Sequence, residues 1–261
     1  MPETSCHGLH VSLPSGHWSA LQAHASRTGE SYSAVIRKAL ADYLDLEHHT
    51  LLQLSTSTAV VEGVFGDALH VRDLADHGDF GIGTFEQLDG EGILLDGVCW
   101  QACADGRLRE APPEEGIPFW IATHFESEQR VQLGPVSSFE QLGALLDPHR
   151  PGANLFVALR IRGVFEELLV RSVSRVEAGA TLLDATRSQT TFSHQAISGT
   201  LVGFWSPTHA SSLNIPGYHL HFLSDDHRHG GHLLDLKAAS LDVDFDSVSY
   251  THLRAHETHN D

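Results

Sequence analysis

The stretch that most constrains this chain is Gly217-Tyr218-His219-Leu220-His221-Phe222, followed by Asp225-Asp226-His227-Arg228-His229-Gly230-Gly231 and then His232. Its pattern is a strand, a polar glycine-ended turn and a returning strand, Leu233-Leu234-Asp235-Leu236. Side chains alternate faces along a strand, so His219 and His221 share one face while Tyr218, Leu220 and Phe222 share the other. A hairpin folds His232 back toward the first two. Three imidazoles on one patch of sheet match an open zinc site, with three protein ligands and a fourth position for water or substrate.

The chain has 20 histidines, so no single one is informative and the weight rests on spacing. His227 and His229 form a second His-x-His pair, but they fall in the turn and read as solvated; Asp226 reads as a turn builder. Cys99 and Cys103 could ligate a metal, but they read more readily as small apolar strand residues. With Cys6 they are too few for a disulfide framework, and a reducing cytoplasm is the expected compartment. The formal net charge of -18 argues against nucleic acid or an anionic membrane as partner of the whole surface. A small anion remains admissible where an arginine or a metal supplies a local positive field. No apolar run approaches the roughly 18 residues of a membrane span, and the first ten residues carry no secretory signal.

Near the N-terminus, Leu9-His10-Val11-Ser12-Leu13 alternates as a short strand. Ser15 then caps a helix carrying Trp18, Leu21 and Ala25, Gly29 stops it, and Ser31 or Ser33 caps a second helix with Val35, Ile36, Ala39, Leu40, Tyr43 and Leu44 on its apolar face. This strand-helix-helix pattern over residues 8–46 resembles a ribbon-helix-helix module, a family that pairs strands across a dimer in the DNA major groove. His10 and Ser12 would face the groove. Arg27, Arg37 and Lys38 are outweighed by Glu3, Glu30, Asp42, Asp45 and Glu47, so a homodimerisation or docking module fits at least as well as a DNA reader.

Beyond residue 50 strands dominate. Residues 69–76 read as a helix, and 93–100 as two strands across the Asp96-Gly97 turn. Residues 105–117 read as a loop, 119–125 and 131–133 as strands, and 139–146 as a helix. Residues 154–162 and 168–174 read as strands joined through Gly163, with 200–206 as another. Dense glycines around Glu91 suggest tight backbone geometry there. The expected class is α+β, mainly β, with mixed and antiparallel sheets.

Several segments together carry an extended resemblance. They are His77-Gly78-Asp79-Phe80-Gly81-Ile82-Gly83-Thr84-Phe85, Leu88-Asp89-Gly90-Glu91, Arg160-Ile161-Arg162-Gly163-Val164-Phe165, Val170-Arg171-Ser172-Val173, Gly199 to Pro207, and the histidine hairpin itself. In this order they resemble the acetolactate decarboxylases, over about residues 50–247. The resemblance implies a two-part decarboxylase domain. It implies zinc (Zn2+) on His219, His221 and His232, with Glu91 and Arg171 as catalytic residues. Its implied reaction is decarboxylation of 2-acetolactate to acetoin, zinc stabilising an enediolate that is protonated on one face. Arg171 would clamp the substrate carboxylate and Glu91 would donate the proton. On residues alone, Glu91 could be an ordinary turn acid, Arg160 or Arg162 could serve in place of Arg171, and Thr84 could line the pocket.

Departures from the family stand at Trp100, at Arg175-Val176, and in the tail. The family carries a second active-site glutamate near its C-terminus; residues 248–261 here lack family character and are expected to be a non-native tail on a truncated domain, with Glu257 no substitute. The alternative reading is a DNA-binding, metabolite-sensing regulator with an impaired decarboxylase domain. A cupin-type metal enzyme ranks lower, because Ser224-Asp225-Asp226 stands where a cupin carries a glutamate.

Overall fold

The computed structural model describes residues 10–28, 32–44, 50–56, 59, 69–152, 154–177, 189–248 and 250–254. The chain forms two units, residues 1–46 and 47–261. In the first, helices α1 (Ser15–Thr28) and α2 (Tyr32–Leu44) stand where the apolar spacing put them. The Pro14 carbonyl accepts the first helical bond from Trp18 N, and the Trp18 and Tyr32 rings meet edge-on at 5.2 Å. Residues 10–14 belong to no strand, in contrast to the alternation of 9–13; a strand needs a neighbour for its backbone groups, and the described part of this unit offers none. Leu9, Gly29 and Ser31 lie outside the described residues.

The second unit is built on alternation of period two. A seven-stranded sheet has the order β14-β1-β8-β3-β4-β5-β6. Its strands are β1 (Thr50–Leu54), β3 (Phe80–Thr84), β4 (Glu91–Leu95), β5 (Val98–Ala102), β6 (Leu108–Glu110), β8 (Phe119–Thr123) and β14 (Tyr250–Arg254). Among the described residues its pairings are antiparallel except β1 with β14. Residues 250–254, within the stretch expected as a non-native tail, thus lie along β1. The turn between β4 and β5 is the expected Asp96-Gly97, both with positive φ (52° and 78°) as a two-residue hairpin requires. A short ladder pairs β2 (Leu69–His70) with β7 (Gly116–Ile117). Residues 69–76, expected as a helix, are β2 followed by a 3-10 turn, and the expected loop 105–117 contains β6 and β7.

The second sheet runs β10-β11-β12-β13-β9, and β10 also pairs with β13, so four of its strands close into a ring. They are β10 (Phe156–Ser172), β11 (Thr190–Ser206), β12 (Gly217–Ser224) and β13 (Gly230–Val248), with β9 (Gln129–Leu133) outside. Gly163 is inside β10 and is no connection between two strands. A Cβ there would stand 2.7 Å from Leu241 Cδ2 and 3.0 Å from the Ser240 carbonyl, so the glycine serves the close approach of β13.

Helix α3 (Phe139–Leu146) is capped by Ser138 Oγ, which accepts from Gln141 N at 3.1 Å. Its Leu142 and Leu146 join the core of the ring with Phe165, Leu220 and Phe222. A second core layer contains Phe80, Ile82 and Ile93 of the first sheet with Val202 and Phe204 of the ring. The outer layer of the seven-stranded sheet contains Leu52, Leu54, Leu74, Phe85 and Trp120. No helix among the described residues is long and apolar enough to cross a membrane.

Candidate metal centre

Strand β12 alternates as its sequence dictates. Leu220 and Phe222 point into the ring core. His219 and His221 take the other face, 8 % and 1 % exposed. Three register pairs set the rest: His219 lies across from Phe204, His221 from Val202 and from His232, and His232 in turn from Arg171 on β10. Paired residues on neighbouring strands share a face, so one row of the ring carries Arg171, His232 and His221. The three imidazoles each offer a ring nitrogen within 4.8 Å of the others.

His219 Nε2 and His221 Nε2 stand 3.1 Å apart. A tetrahedral ion with metal–nitrogen bonds of roughly 2.0–2.1 Å holds its ligand nitrogens about 3.3 Å apart. Nδ1 of His221 meets the Gly92 carbonyl at 2.9 Å. As donor there, it leaves Nε2 as the lone-pair atom facing the centre. The Nδ1 atoms of His219 and His232 are buried with no hydrogen-bond partner among the described residues. Burial first, and the Arg171 charge second, push the His219 ring down from 6.5 to about 3. Burial also holds His221 and His232 well below the ordinary range, with neighbouring His219 adding to it. Neutral imidazoles are the form that ligates. Donor type, spacing and protonation therefore fit a divalent ion.

Glu91 arrives from the other sheet, at the first position of β4. Its Oε1 accepts from Arg171 Nη1 at 2.8 Å, and its Oε2 lies 3.5 Å from His221 Nε2. The side chain is 7 % exposed and that of Arg171 18 %. Burial pushes the Glu91 carboxyl up from 4.5 to about 7, against the pull of Arg171. Thr84 sits directly across β3 from Glu91, and its hydroxyl donates to the Gly90 carbonyl at 2.8 Å. All five residues read from the sequence thus meet in one place, three of them on the ring strands β12 and β13, Arg171 on β10, and Glu91 from the facing sheet.

The competing candidates lie elsewhere. Arg160 donates to Asp96 at 2.9 Å and lies over the Phe125 ring, while Arg162 donates to Asp244 at 2.5 Å. His227 is exposed and packs on Trp100, and His229 packs on His194. Asp226 builds its turn, accepting from Ser224 Oγ and Arg228 N. Burial raises the thiols of Cys99 and Cys103, and neither joins a metal-ligating group among the described residues. A surface cavity of about 510 Å³, lined by Cys103, Arg107, Arg109, Ser174 and Arg175 among others, contains none of the five site residues. Sequence reading missed the Gly92 carbonyl as the partner of His221. A backbone acceptor has no residue-type signature; the glycine density around Glu91 was the available hint.

The chain matches the family model described as alpha-acetolactate decarboxylase over residues 51–260. It is 41% identical over 200 residues to an alpha-acetolactate decarboxylase of Methanosarcina mazei, spanning 76% of this chain and 69% of that protein. It is 38% identical over 199 residues to the Klebsiella aerogenes enzyme of the same name, spanning 76% of each. Among solved structures, the alpha-acetolactate decarboxylase of Bacillus subtilis strain 168 superposes with a TM-score of 0.77 at 30% identity, covering 80% of this chain and 90% of that one.

Proposed function

The chain belongs to the alpha-acetolactate decarboxylase family and is a carboxy-lyase of that kind, and from this membership we propose that it releases CO2 from 2-acetolactate at a zinc centre on His219, His221 and His232. The observation that carries the mechanistic reading is the placement of Glu91, bonded to Arg171 at 2.8 Å and 3.5 Å from His221. One carboxyl group there serves both the cationic and the metal-ligating side of the site.

Zinc, when bound, supplies a Lewis acid for oxygen charge that develops as CO2 leaves. The chain's own residues do the rest. Arg171 gives one Nη1 donor to Glu91, and its remaining planar donors orient the substrate carboxylate. When the bond to that carboxylate breaks, its electron pair passes into the adjoining ketone and leaves an enediolate. The carbon that lost CO2 then takes a proton. Glu91 is raised to about 7, so it holds a proton near neutral pH and delivers it, and solvent returns one afterwards. Each turnover consumes one proton and yields acetoin and CO2. The donor stands on the β4 side only, which protonates one face and gives a chiral product. Buried apolar neighbours Val202, Phe204 and Ile93 keep the centre dry.

Zinc-loaded protein incubated with 2-acetolactate should form acetoin and CO2 in equal amounts, with one enantiomer in excess. Folded, zinc-loaded protein that forms no acetoin would sink the reading.

A further inference from the structure

We propose that Trp120 is a positioning residue of the metal centre, acting from the opposite side of the sheet by fixing the height of β4 and hence the Gly92 carbonyl and Glu91. The proposal rests on the reading of the three histidines as a metal centre.

The indole of Trp120 on β8 is fully buried in the outer core layer, away from the histidines. It lies flat over three glycines. A Cβ on Gly83 would stand 2.2 Å from Trp120 Cε3, one on Gly92 2.3 Å from Cζ3, and one on Gly81 2.9 Å from Nε1. No real side chain tolerates such distances, so β3 and β4 present bare backbone where the ring rests. The fit outranks polar satisfaction: the indole N–H is buried with no hydrogen-bond partner among the described residues, an arrangement that costs stability. Phe85 closes the outer side, edge-on at 5.9 Å.

What rests under that ring is the strand that meets the metal ligands. Gly92 touches the indole on one side, and its carbonyl accepts from His221 Nδ1 at 2.9 Å on the other. Glu91, the preceding residue, points toward His221 and Arg171. A rigid slab thus sets where the ligand-orienting carbonyl stands. A packed interior transmits a change of side-chain volume to the backbone it supports.

The test is divalent-ion affinity of the full chain, measured by competition against a chromophoric chelator. Imidazole 15N shifts of the metal-free protein are read alongside. Trp120→Leu should bind zinc 10- to 100-fold more weakly, the range for lost outer-shell support, and His221 should lose its uniform Nδ1–H tautomer. Leu74→Ala, from the same apolar layer, should lower thermal stability while leaving affinity within twofold. Should Trp120→Leu fail to fold, Trp120→Phe, whose shorter ring stops short of Gly92, should show the same direction of change. The proposal is overturned if the Trp120 variants bind zinc as tightly as the wild type with the His221 tautomer unchanged, or if Leu74→Ala weakens zinc equally. Wild-type protein that takes up no divalent ion overturns the metal-centre reading instead, and the tautomer comparison then decides the role of Trp120 by itself.

Discussion

At the scale of single residues, the proposed mechanism assigns metal holding and proton delivery to different side chains, and substitutions test them separately. His219→Ala removes one of three buried imidazoles, and the expected result is loss of stoichiometric zinc by elemental analysis together with loss of acetoin formation. Glu91→Gln keeps the shape and the contact with Arg171 but cannot deliver a proton. Zinc content should stay at one per chain while kcat falls about 10²–10⁴-fold; a variant that keeps wild-type kcat removes Glu91 from the mechanism. The residues in these experiments were legible because each has a side chain whose chemistry is tied to its type, and because strand alternation put His219 and His221 on one face. What was not legible is contributed by groups without such a signature. Gly92 acts through its carbonyl. Trp120 acts through shape, against glycines distant from it in the chain. Resemblance favours Arg171 over Arg160 and Arg162 in the sequence, whereas the physical reason appears in the register, which places Arg171 across from His232 and gives the other two their own carboxylates.

At the scale of elements, Asp244 on β13 ties three strands and the segment before β9. It accepts from Ser127 at 2.8 Å, from Arg130 of β9 at 2.7 Å and from Arg162 of β10 at 2.5 Å. Burial pushes its carboxyl up, but the Arg130 and Ser127 hydrogen bonds and the two guanidinium charges outweigh it and hold it below the ordinary range. A depressed folded value contributes stability above the unfolded value and loses it as pH falls. Asp244→Asn should therefore cost about 2 kcal/mol at neutral pH, and no more, because solvent screens both arginines, which are 43–66% exposed. In urea unfolding, the gap from wild type should narrow toward pH 3. Element types were mostly readable: the β4–β5 hairpin stands at its turn residues, and helix α3 spans the expected 139–146. Strand lengths were not. Local pattern suggested a break in β10 at Gly163 and only four residues of returning strand in β13, which runs for 19. Their extent is set by each other, through pairings between distant parts of the sequence.

For the whole molecule, the net charge and the proposed metal each carry a measurable consequence. The net charge of -18 opposes the approach of an anionic substrate. Added salt screens that opposition, so kcat/KM should rise between about 10 and 150 mM ionic strength at constant pH; a fall would show that local arginines govern the approach. Ions that bind only the folded chain stabilise it by mass action. Chelation should lower the melting temperature by several degrees, and added zinc should restore it. The closure of the ring by β10 and β13 has a temporal consequence as well. Glu91 and Arg171 are separated by 80 residues and Gly92 and His221 by 129, so little of the centre can form from local contacts. Long-range pairing is slow because loop entropy is lost before contacts reward it. On the ribosome, β4 and β10 emerge and must wait, their inward faces uncovered, until β13 is released to stand between β10 and β12. The nascent chain thus has no decarboxylase chemistry for most of its synthesis, and its interval of greatest exposure to aggregation ends with the same strand pairing that assembles the three histidines.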